Sequence, residues 1–403
     1  MNRRSFWNFY SAGRIVFGTG CSRRLPVFLK PYAPDRILIV TDPVLQKVGI
    51  VKQISDDLRN AGLQVHIFDG GQPEPTFAVA ESVVQFAAEV SPQVVIGLGG
   101  GSNMDLAKCV AAVLSHGGTC ADYVGFDRVP GPVLPLVCLP TTAGTGSEVS
   151  HASILTDSVN QVKVSIHSHY LRPALAVVDP ALTLSCPPRT TAESGIDALS
   201  HAIEGYTAVN FDAVDVPADD PFPFDGKQPI ADCLAEKAIL LIGQHLTTAV
   251  REPSNLPARE GMALAALLAG LTFSNSAVAV VHALEYPLGG ALHCSHGAGN
   301  GLLLPHVMRF NIPARTSEFS RIAMLLGEET EGLDERAAAE KSVTAVDRIC
   351  REIGIPQRIR DLGATPEQLP GLAAKACNIR RLMILNGRSA TEADLLRILQ
   401  DAF

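Results

Sequence analysis

One aspartate and three histidines are spaced so that a folded chain could bring them to a single metal ion. Asp197 and His201 are four residues apart in a segment of helical pattern, so both side chains point from one face of that helix. His282 and His296 lie on either side of a break at 287–290, Pro-Leu-Gly-Gly. Carboxylate and imidazole donors suit a divalent ion such as iron(II) or zinc, and the donor types do not choose between the two.

Each part of this set also has a simpler explanation. An aspartate and a histidine at this spacing can form only a hydrogen bond on a helix surface, and a lone buried histidine is more often a core residue than a ligand. The metal-site interpretation is favoured because the acid–histidine pair and the two later histidines occur together in one chain. In this interpretation we expect His282 to be essential for both metal binding and catalysis.

A glycine-rich segment suits a phosphate group. Gly99, Gly100 and Gly101 follow an apolar strand pattern directly, and Ser102 opens a helical pattern. Without side chains the backbone N–H groups can approach a pyrophosphate, and the helix N-terminus adds partial positive charge. The segment matches neither the GxGxxG fingerprint nor a P-loop. A tight strand-to-helix turn explains the pattern equally well.

Other polar residues follow predicted strands, where open α/β sheets bind ligands. Asp42 could accept the ribose hydroxyls of adenosine and repel a 2′-phosphate, which favours NAD over NADP; the alternative is a helix cap before Pro43. Lys163 is predicted to face the cofactor, the alternative being a solvated lysine. Four hydroxyl side chains among seven residues suit an anionic or amide-bearing ligand better than a plain polar loop. These are Thr141, Thr142, Thr145 and Ser147.

Alternating strand and helix patterns position these residues in the first half of the chain. Short apolar runs predict buried parallel strands, and helical patterns separate the first three of them, so we predict an α/β domain with a parallel sheet. A hairpin is predicted from 153–156 and 162–166. The predicted sheet strands are 36–42, 63–68, 94–98, 135–140 and 174–179.

The second half of the chain has a helical pattern throughout. Two prolines at 187–188 mark a boundary, so we predict an NAD-binding α/β domain at 1–186 and an all-α metal-binding domain at 187–403. Residues 190–193, Thr-Thr-Ala-Glu, predict a capping box at the start of a helix. The segment 207–229 has four prolines and is predicted to be an exposed insertion.

Composition excludes several classes of function. Of 403 residues, 47% are hydrophobic and the net charge is −8, which favours a large core and argues against nucleic-acid binding. Nine cysteines without CxxC pairs indicate reduced thiols and a cytoplasmic enzyme. The arginine pair at 3–4 is not followed by an apolar segment, so export is not expected. The apolar stretch 261–284 contains polar residues and predicts a buried helix pair, with no membrane span.

Several separated segments together resemble the iron-containing (group III) alcohol dehydrogenases, which share a dehydroquinate synthase-like fold. These segments are 99–108, 140–148, 195–204 and 281–297, with further similarity at 6–18 and 304–311. The resemblance implies an N-terminal dinucleotide-binding domain, a C-terminal helical domain and an active site in the cleft between them. It implies that Asp197, His201, His282 and His296 bind the metal, with iron(II) ahead of zinc, and that Asp42, Gly99 to Ser102, Thr141, Thr142 and Thr145 hold NAD.

Two departures from the family leave alternatives open. Many members carry a histidine close to the nicotinamide where this chain has Tyr286, which we treat as a candidate catalytic residue although a tyrosine pKa near 10 makes a poor base. The 207–229 insertion and Glu-Tyr-Pro at 285–287 are similar to hydroxyacid–oxoacid transhydrogenases of the 4-hydroxybutyrate type. Such a substrate needs a cation in the pocket, and the sequence identifies none.

The expected reaction is reversible hydride transfer between a small alcohol and an aldehyde or ketone, in which the metal acts as a Lewis acid on the oxygen and NAD carries the hydride. A dehydroquinate-synthase-like lyase is a further alternative, but it would need several Lys or Arg residues, and the motif segments are poor in them. An inactive binding protein is disfavoured because all four ligand positions are filled. We expect a homodimer.

Overall fold

The computed structural model describes residues 4–160, 162–215 and 224–403. Two compact units are present, one over Tyr10–Cys186 and the other over Pro187–Phe403 together with the N-terminal residues up to Phe9. The N-terminal residues join the second unit through Asp225, which accepts hydrogen bonds from Arg4 Nη1 at 2.8 Å and from the backbone N–H of Asn8 at 2.6 Å. The predicted fold class, α/β with a parallel sheet followed by all-α, is confirmed.

A parallel six-stranded sheet in the order β1-β9-β6-β4-β2-β3 organises the α/β unit. The antiparallel pair β7 and β8, aligned with Ala152 opposite His167, confirms the predicted hairpin, and β5 joins β8 in parallel. The strands are β1 Ile15–Phe17, β2 Arg36–Val40, β3 Gln64–Phe68, β4 Val94–Gly99, β5 Gly125–Phe126, β6 Leu136–Pro140, β7 Ala152–Asp157, β8 Val162–His167 and β9 Leu175–Val178. The helices are α1 Leu25–Phe28, α2 Pro43–Lys47, α3 Ile50–Asn60, α4 Phe77–Val90 and α5 Gly101–His116.

Helices cover both faces of this sheet, which is why its strands are continuous apolar runs. In β2 the alternate residues Ile37 and Ile39 belong to one hydrophobic cluster, which includes residues of α1 and α3. Leu38 and Val40 belong to the opposite cluster, which includes residues of α4 and α5. The carboxyl ends of β2, β4 and β6 consequently lead into Asp42, the glycine segment and the hydroxyl-rich loop along one edge of the sheet.

The second unit is helical. Its helices are α6 Pro188–Thr207, α7 Pro229–Arg251, α8 Leu256–Ser276, α9 Val280–Leu292, α10 His296–Asn311, α11 Thr316–Leu325, α12 Glu335–Glu352, α13 Leu369–Cys377, α14 Arg380–Met383 and α15 Glu392–Asp401. By length and composition α8 could cross a membrane, but most of it is buried, and it packs against α6 and α7. The predicted buried helix pair at 261–284 is therefore confirmed as α8 and the start of α9.

Two local predictions in this unit are wrong. The capping box at 190–193 does not form, because α6 already begins at Pro188, a residue suited to a first helical position; Glu193 instead pairs with Arg189. Pro287 does not end its helix, and α9 continues to Leu292. A proline inside a helix costs about 3 kcal/mol, and packing of α9 against α10 and α13 offsets that cost.

The segment 207–229, predicted to be an exposed insertion, is packed at its described ends. Val214 and Phe224 are buried in a cluster with Ala277 and Leu385. Asn210 and Lys227 form a bridge between the two ends. The central residues of the predicted insertion, 216–223, lie outside the part of the chain that the structure describes.

Candidate active site

Four side chains of the helical unit converge on one carboxylate oxygen. The Nε2 atoms of His201, His282 and His296 lie 3.6, 3.7 and 3.8 Å from Asp197 Oδ1. A tetrahedral ion with ligands ~2.1 Å away separates its donor atoms by roughly 3.4 Å, so these spacings fit a four-ligand site. We call these four residues the donor set. Three of them, all except His296, are buried and place ligand atoms within 4.8 Å of one another.

Three helices supply the donor set. Asp197 and His201 are one turn apart on α6, His282 lies in the first turn of α9, and His296 is the first residue of α10. A side chain at position 297 would collide with the carbonyl oxygen of Glu193 on α6. Glycine at that position therefore lets the start of α10, and with it His296, lie directly against α6.

Two carboxylates outside the donor set orient its histidines. Glu204 Oε2 accepts a hydrogen bond from His282 Nδ1 at 2.5 Å, and its Oε1 accepts one from the backbone N–H of Val281 at 2.7 Å. Glu285, from α9, accepts from His296 Nδ1. A carboxylate on Nδ1 fixes the tautomer and directs Nε2 toward the metal position. No pattern in the sequence indicates this orienting role for either glutamate.

Asn300, one turn after His296 on α10, also belongs to the site, although the sequence patterns do not single it out. Its Nδ2 donates to Asp197 Oδ1 at 2.8 Å and lies 3.1 Å from His282 Nε2 and 3.2 Å from His296 Nε2. The lone pairs of the donor set thus face one electropositive group, as they would face a cation. The helical spacing from His296 was the available signal, since residues four apart share a helix face.

Asp197 is held as a carboxylate. Burial raises the pKa of Asp197, but His201, His296, His282 and the Asn300 amide outweigh burial, and its pKa lies below the usual value. A buried anion with imidazole nitrogens around it is a donor arrangement typical of a divalent cation site.

Two aromatic rings lie against the donor set. Phe273 stacks on His201 with ring centroids 4.3 Å apart. Tyr286 meets His282 edge-on at 6.3 Å and lies 6.0 Å from His296. The structure therefore brings the predicted Tyr286 to the donor set, while its position relative to a nicotinamide ring stays a prediction. Phe273 was not singled out from the sequence.

The glycine segment forms a bare helix N-terminus in the α/β unit. Helix α5 begins at Gly101, and no described side chain caps its first turn. Gly99 has a φ of +145°, and a side chain there would collide with Asn103. A Cβ at Gly100 would meet only Thr142, 3.7 Å away, and one at Gly101 would meet Thr145 at 3.0 Å. Glycines and threonines thus lie together around uncapped N–H groups, which is how proteins bind phosphate.

The remaining predicted cofactor residues are Asp42, Thr141 and Lys163. Asp42 lies beside the glycine segment, where one oxygen caps α2 and the other accepts from Asn103 Nδ2 at 2.7 Å. Thr141 continues the strand pairing through its backbone N–H, which donates to Gly99 O at 3.0 Å. Lys163 lies on β8 and forms an ion pair with Glu74 at 2.7 Å; its contact with a cofactor stays a prediction.

Ser147 was predicted to donate to a ligand, and this prediction is wrong. Its hydroxyl is buried, donates to Asp105 Oδ1 at 2.7 Å and accepts from Lys108 Nζ at 2.7 Å. Lys108 is itself fully buried on α5 and also donates to Ser150 Oγ and Ala152 O. This network ties the hydroxyl-rich loop to α5, because a buried ammonium group must be fully hydrogen-bonded.

Comparison with known proteins identifies relatives along the whole chain. The family model "Iron-containing alcohol dehydrogenase" matches residues 12–180, and the model of its C-terminal region matches residues 222–403. The chain is 39% identical to long-chain-alcohol dehydrogenase 1 of Geobacillus thermodenitrificans, over 98% of this chain and 97% of that protein. It is 35% identical to the NAD-dependent methanol dehydrogenase of Bacillus methanolicus, over 98% and 99%. A crystal structure of 1,3-propanediol oxidoreductase superposes with a TM-score of 0.92 at 34% identity, covering 99% of this chain and all of that one.

Proposed function

The chain belongs to the iron-containing alcohol dehydrogenase family and is an NAD-linked alcohol dehydrogenase, and from this premise we propose that the donor set holds its catalytic metal. The observation that carries the proposal is the convergence of three Nε2 atoms on Asp197 Oδ1. The orienting bonds from Glu204 and Glu285 support it. The ion we propose is iron(II), with zinc as the alternative, because three imidazoles and one carboxylate suit both. When bound, such an ion supplies Lewis acidity to an alcohol oxygen.

The residues around the donor set have separate tasks. Glu204 and Glu285 hold the rings of His282 and His296 in the tautomer that presents Nε2. Phe273 and Tyr286 exclude water beside the donor set, which strengthens electrostatic interactions there. We assign the relay of the alcohol proton to the Tyr286 hydroxyl, because this chain has Tyr286 where many family members have a histidine close to the nicotinamide.

The α/β unit is proposed to bind NAD, which accepts the hydride. The bare first turn of α5 would hold the pyrophosphate, with Thr142 and Thr145 beside it. Asp42 would accept the ribose hydroxyls, since part of its side chain is exposed next to the glycine segment. Lys163 stays a predicted cofactor contact. The nine cysteines are all free thiols, which supports the proposed cytoplasmic location; the homodimer is also proposed.

The experiment that tests this function is a substrate panel. Purified protein, stripped of metal and reloaded with iron(II) or zinc, is assayed for NADH formation from 1-alkanols and diols. We expect turnover only after metal is restored, and net NADH formation also rules out a lyase. Activity that is the same with and without metal would contradict the proposal.

A further inference from the structure

The side chain of Asn103 joins the two parts of the proposed cofactor site. Asn103 lies in the first turn of α5 and is only 2% exposed. Its Nδ2 donates one hydrogen bond to Asp42 Oδ2 at 2.7 Å and another to Leu98 O, near the end of β4, at 3.1 Å. Both amide hydrogens are used in this way, and the two acceptors identify which end of the amide is the nitrogen. Asn103 therefore connects the carboxylate that we assign to the ribose with the strand that leads into the glycine segment.

Glycines at the ends of two strands leave room for the Asn103 side chain. A Cβ at Gly99 would collide with Asn103 Nδ2, and one at Gly71 would collide with Asn103 Oδ1. Gly71 follows β3, Gly99 ends β4, and β2 lies between these two strands in the sheet. The Asn103 amide is thus enclosed by the carboxyl ends of three adjacent strands, at the edge where open α/β sheets bind ligands.

The bond from Asn103 also decides which oxygen of Asp42 remains for a ligand. Asp42 Oδ1 accepts hydrogen bonds from the backbone N–H groups of Val44 at 2.9 Å and Leu45 at 3.0 Å, so the cap of α2 occupies this oxygen. Oδ2 accepts only from Asn103 among the bonds that the structure shows. A carboxylate has roughly four acceptor positions, and the Asp42 side chain is partly exposed. Oδ2 is therefore the oxygen that can accept a ribose hydroxyl, and Asn103 holds it in place.

We propose that Asn103 is a positioning residue for the cofactor, which holds Asp42 Oδ2 toward the 2′-hydroxyl of the adenosine ribose while the pyrophosphate lies on the first turn of α5. The proposal rests on the proposed function, which assigns the ribose to Asp42 and the pyrophosphate to that turn. Contacts that are held at a fixed spacing before binding lose less conformational entropy on binding, so the bond raises the affinity for NAD. Because Asn103 acts through Asp42, its loss weakens the contact with the ribose more than the contact with the pyrophosphate.

The test titrates NADH, followed by its fluorescence, into the metal-loaded wild type and into folded Asn103→Leu and Asn103→Ser. Leucine keeps the approximate shape of asparagine without its donors, and serine removes the contact with a smaller side chain. We expect the Kd for NADH to rise ~10-fold in both variants, as for the loss of a charge-assisted hydrogen bond. The KM for NAD should rise with it, by a larger factor than kcat falls. The matched control is Asn60→Ser, at the exposed end of α3, which should bind NADH as the wild type does.

Two further titrations separate positioning from a purely structural role. The wild type should bind NADH more tightly than the analogue with 2′-deoxyadenosine, and Asn103→Leu should lose most of this preference. In an Asp42→Gly background the Asn103 substitutions should change the Kd for NADH by less than about twofold, because both changes remove one contact.

Three results would overturn the proposal while leaving the role of Asp42 intact. These are a wild-type affinity for NADH in both Asn103 variants, a full preference for the 2′-hydroxyl in Asn103→Leu, and additive effects of the Asn103 and Asp42 substitutions. If Asp42→Gly itself keeps the wild-type affinity and sugar preference, the proposed ribose role of Asp42 fails, and the proposal fails with it.

Discussion

Replacing Glu204 by glutamine tests how the site holds its metal. Glu204 is buried and accepts two hydrogen bonds, from Val281 N at 2.7 Å and from His282 Nδ1 at 2.5 Å. Glutamine has one accepting oxygen, so its NH₂ group must face one of these two donors. The substitution removes one charge-assisted hydrogen bond, a loss of about 1.5–3 kcal/mol. Because the bond fixes the ring whose Nε2 faces Asp197, we expect metal affinity to fall ~10–100-fold.

The assay is a competition titration in which a chelator of known affinity competes for zinc with the wild type and with each variant. Glu193→Gln is the matched control, since Glu193 lies on the same helix but pairs only with the exposed Arg189. Glu285→Gln should also weaken binding, and by less, because the His296 side chain is 33% exposed and its bond is better solvated. Circular dichroism confirms that the variants are folded.

The positioning role of Glu204 is refuted by an unchanged zinc affinity in folded Glu204→Gln. It is also refuted if Glu193→Gln weakens binding as much, because that result would trace the effect to the charge of α6 rather than to the hydrogen bond. If Glu204→Gln loses activity but keeps its metal, Glu204 acts in another step and does not position a metal ligand.

Three further predictions follow from the two units. His282→Ala should lose both bound metal and alcohol oxidation, and normal turnover by the metal-free variant would contradict the assigned mechanism. Asp42→Gly should accept NADP, because the carboxylate that repels a 2′-phosphate is gone while glycine still permits the start of α2; strict preference for NAD would show that Asp42 does not contact the ribose. Burial raises the pKa of the Glu148 carboxyl from 4.5 to about 7. The folded protein is therefore most stable below the pKa of this group in the unfolded chain, about 4.5, and it loses stability as pH rises from there through about 7. Urea unfolding should therefore show Glu148→Gln gaining up to ~3 kcal/mol over the wild type between about pH 5 and about pH 8, whereas an equal difference at both pH values would contradict the shift.

The sheet and the donor set were predictable from the sequence for different reasons. Strands buried on both faces must be apolar throughout, so β2, β4 and β6 were visible as uninterrupted runs. Asp197 and His201 were visible as a pair because they share a helix face. Their convergence with His282 and His296 required the packing of three helices, which only the family resemblance indicated beforehand.

The contacts across helices were not predictable. Glu204 on α6 bonds to His282 on α9, and Glu285 on α9 bonds to His296 on α10, and nothing local reveals which side chains will lie opposite. Ser147 was misassigned for the same reason, because the pattern shows hydroxyl groups but not which of them turns toward Lys108. The local propensity of Pro287 predicts the end of a helix, but the packing of α9 overrides that propensity.

The most direct measurement of the central claim is anomalous diffraction from crystals grown with iron(II) and recorded at the iron absorption edge. The account predicts one strong peak per chain, about 2.0–2.2 Å from Asp197 Oδ1 and from the Nε2 atoms of the three histidines. Asn300 should then have its amide displaced from the centre of the donor set. A peak that lacks two or more of these ligands, or the absence of any peak between them in iron-loaded active protein, would contradict the account.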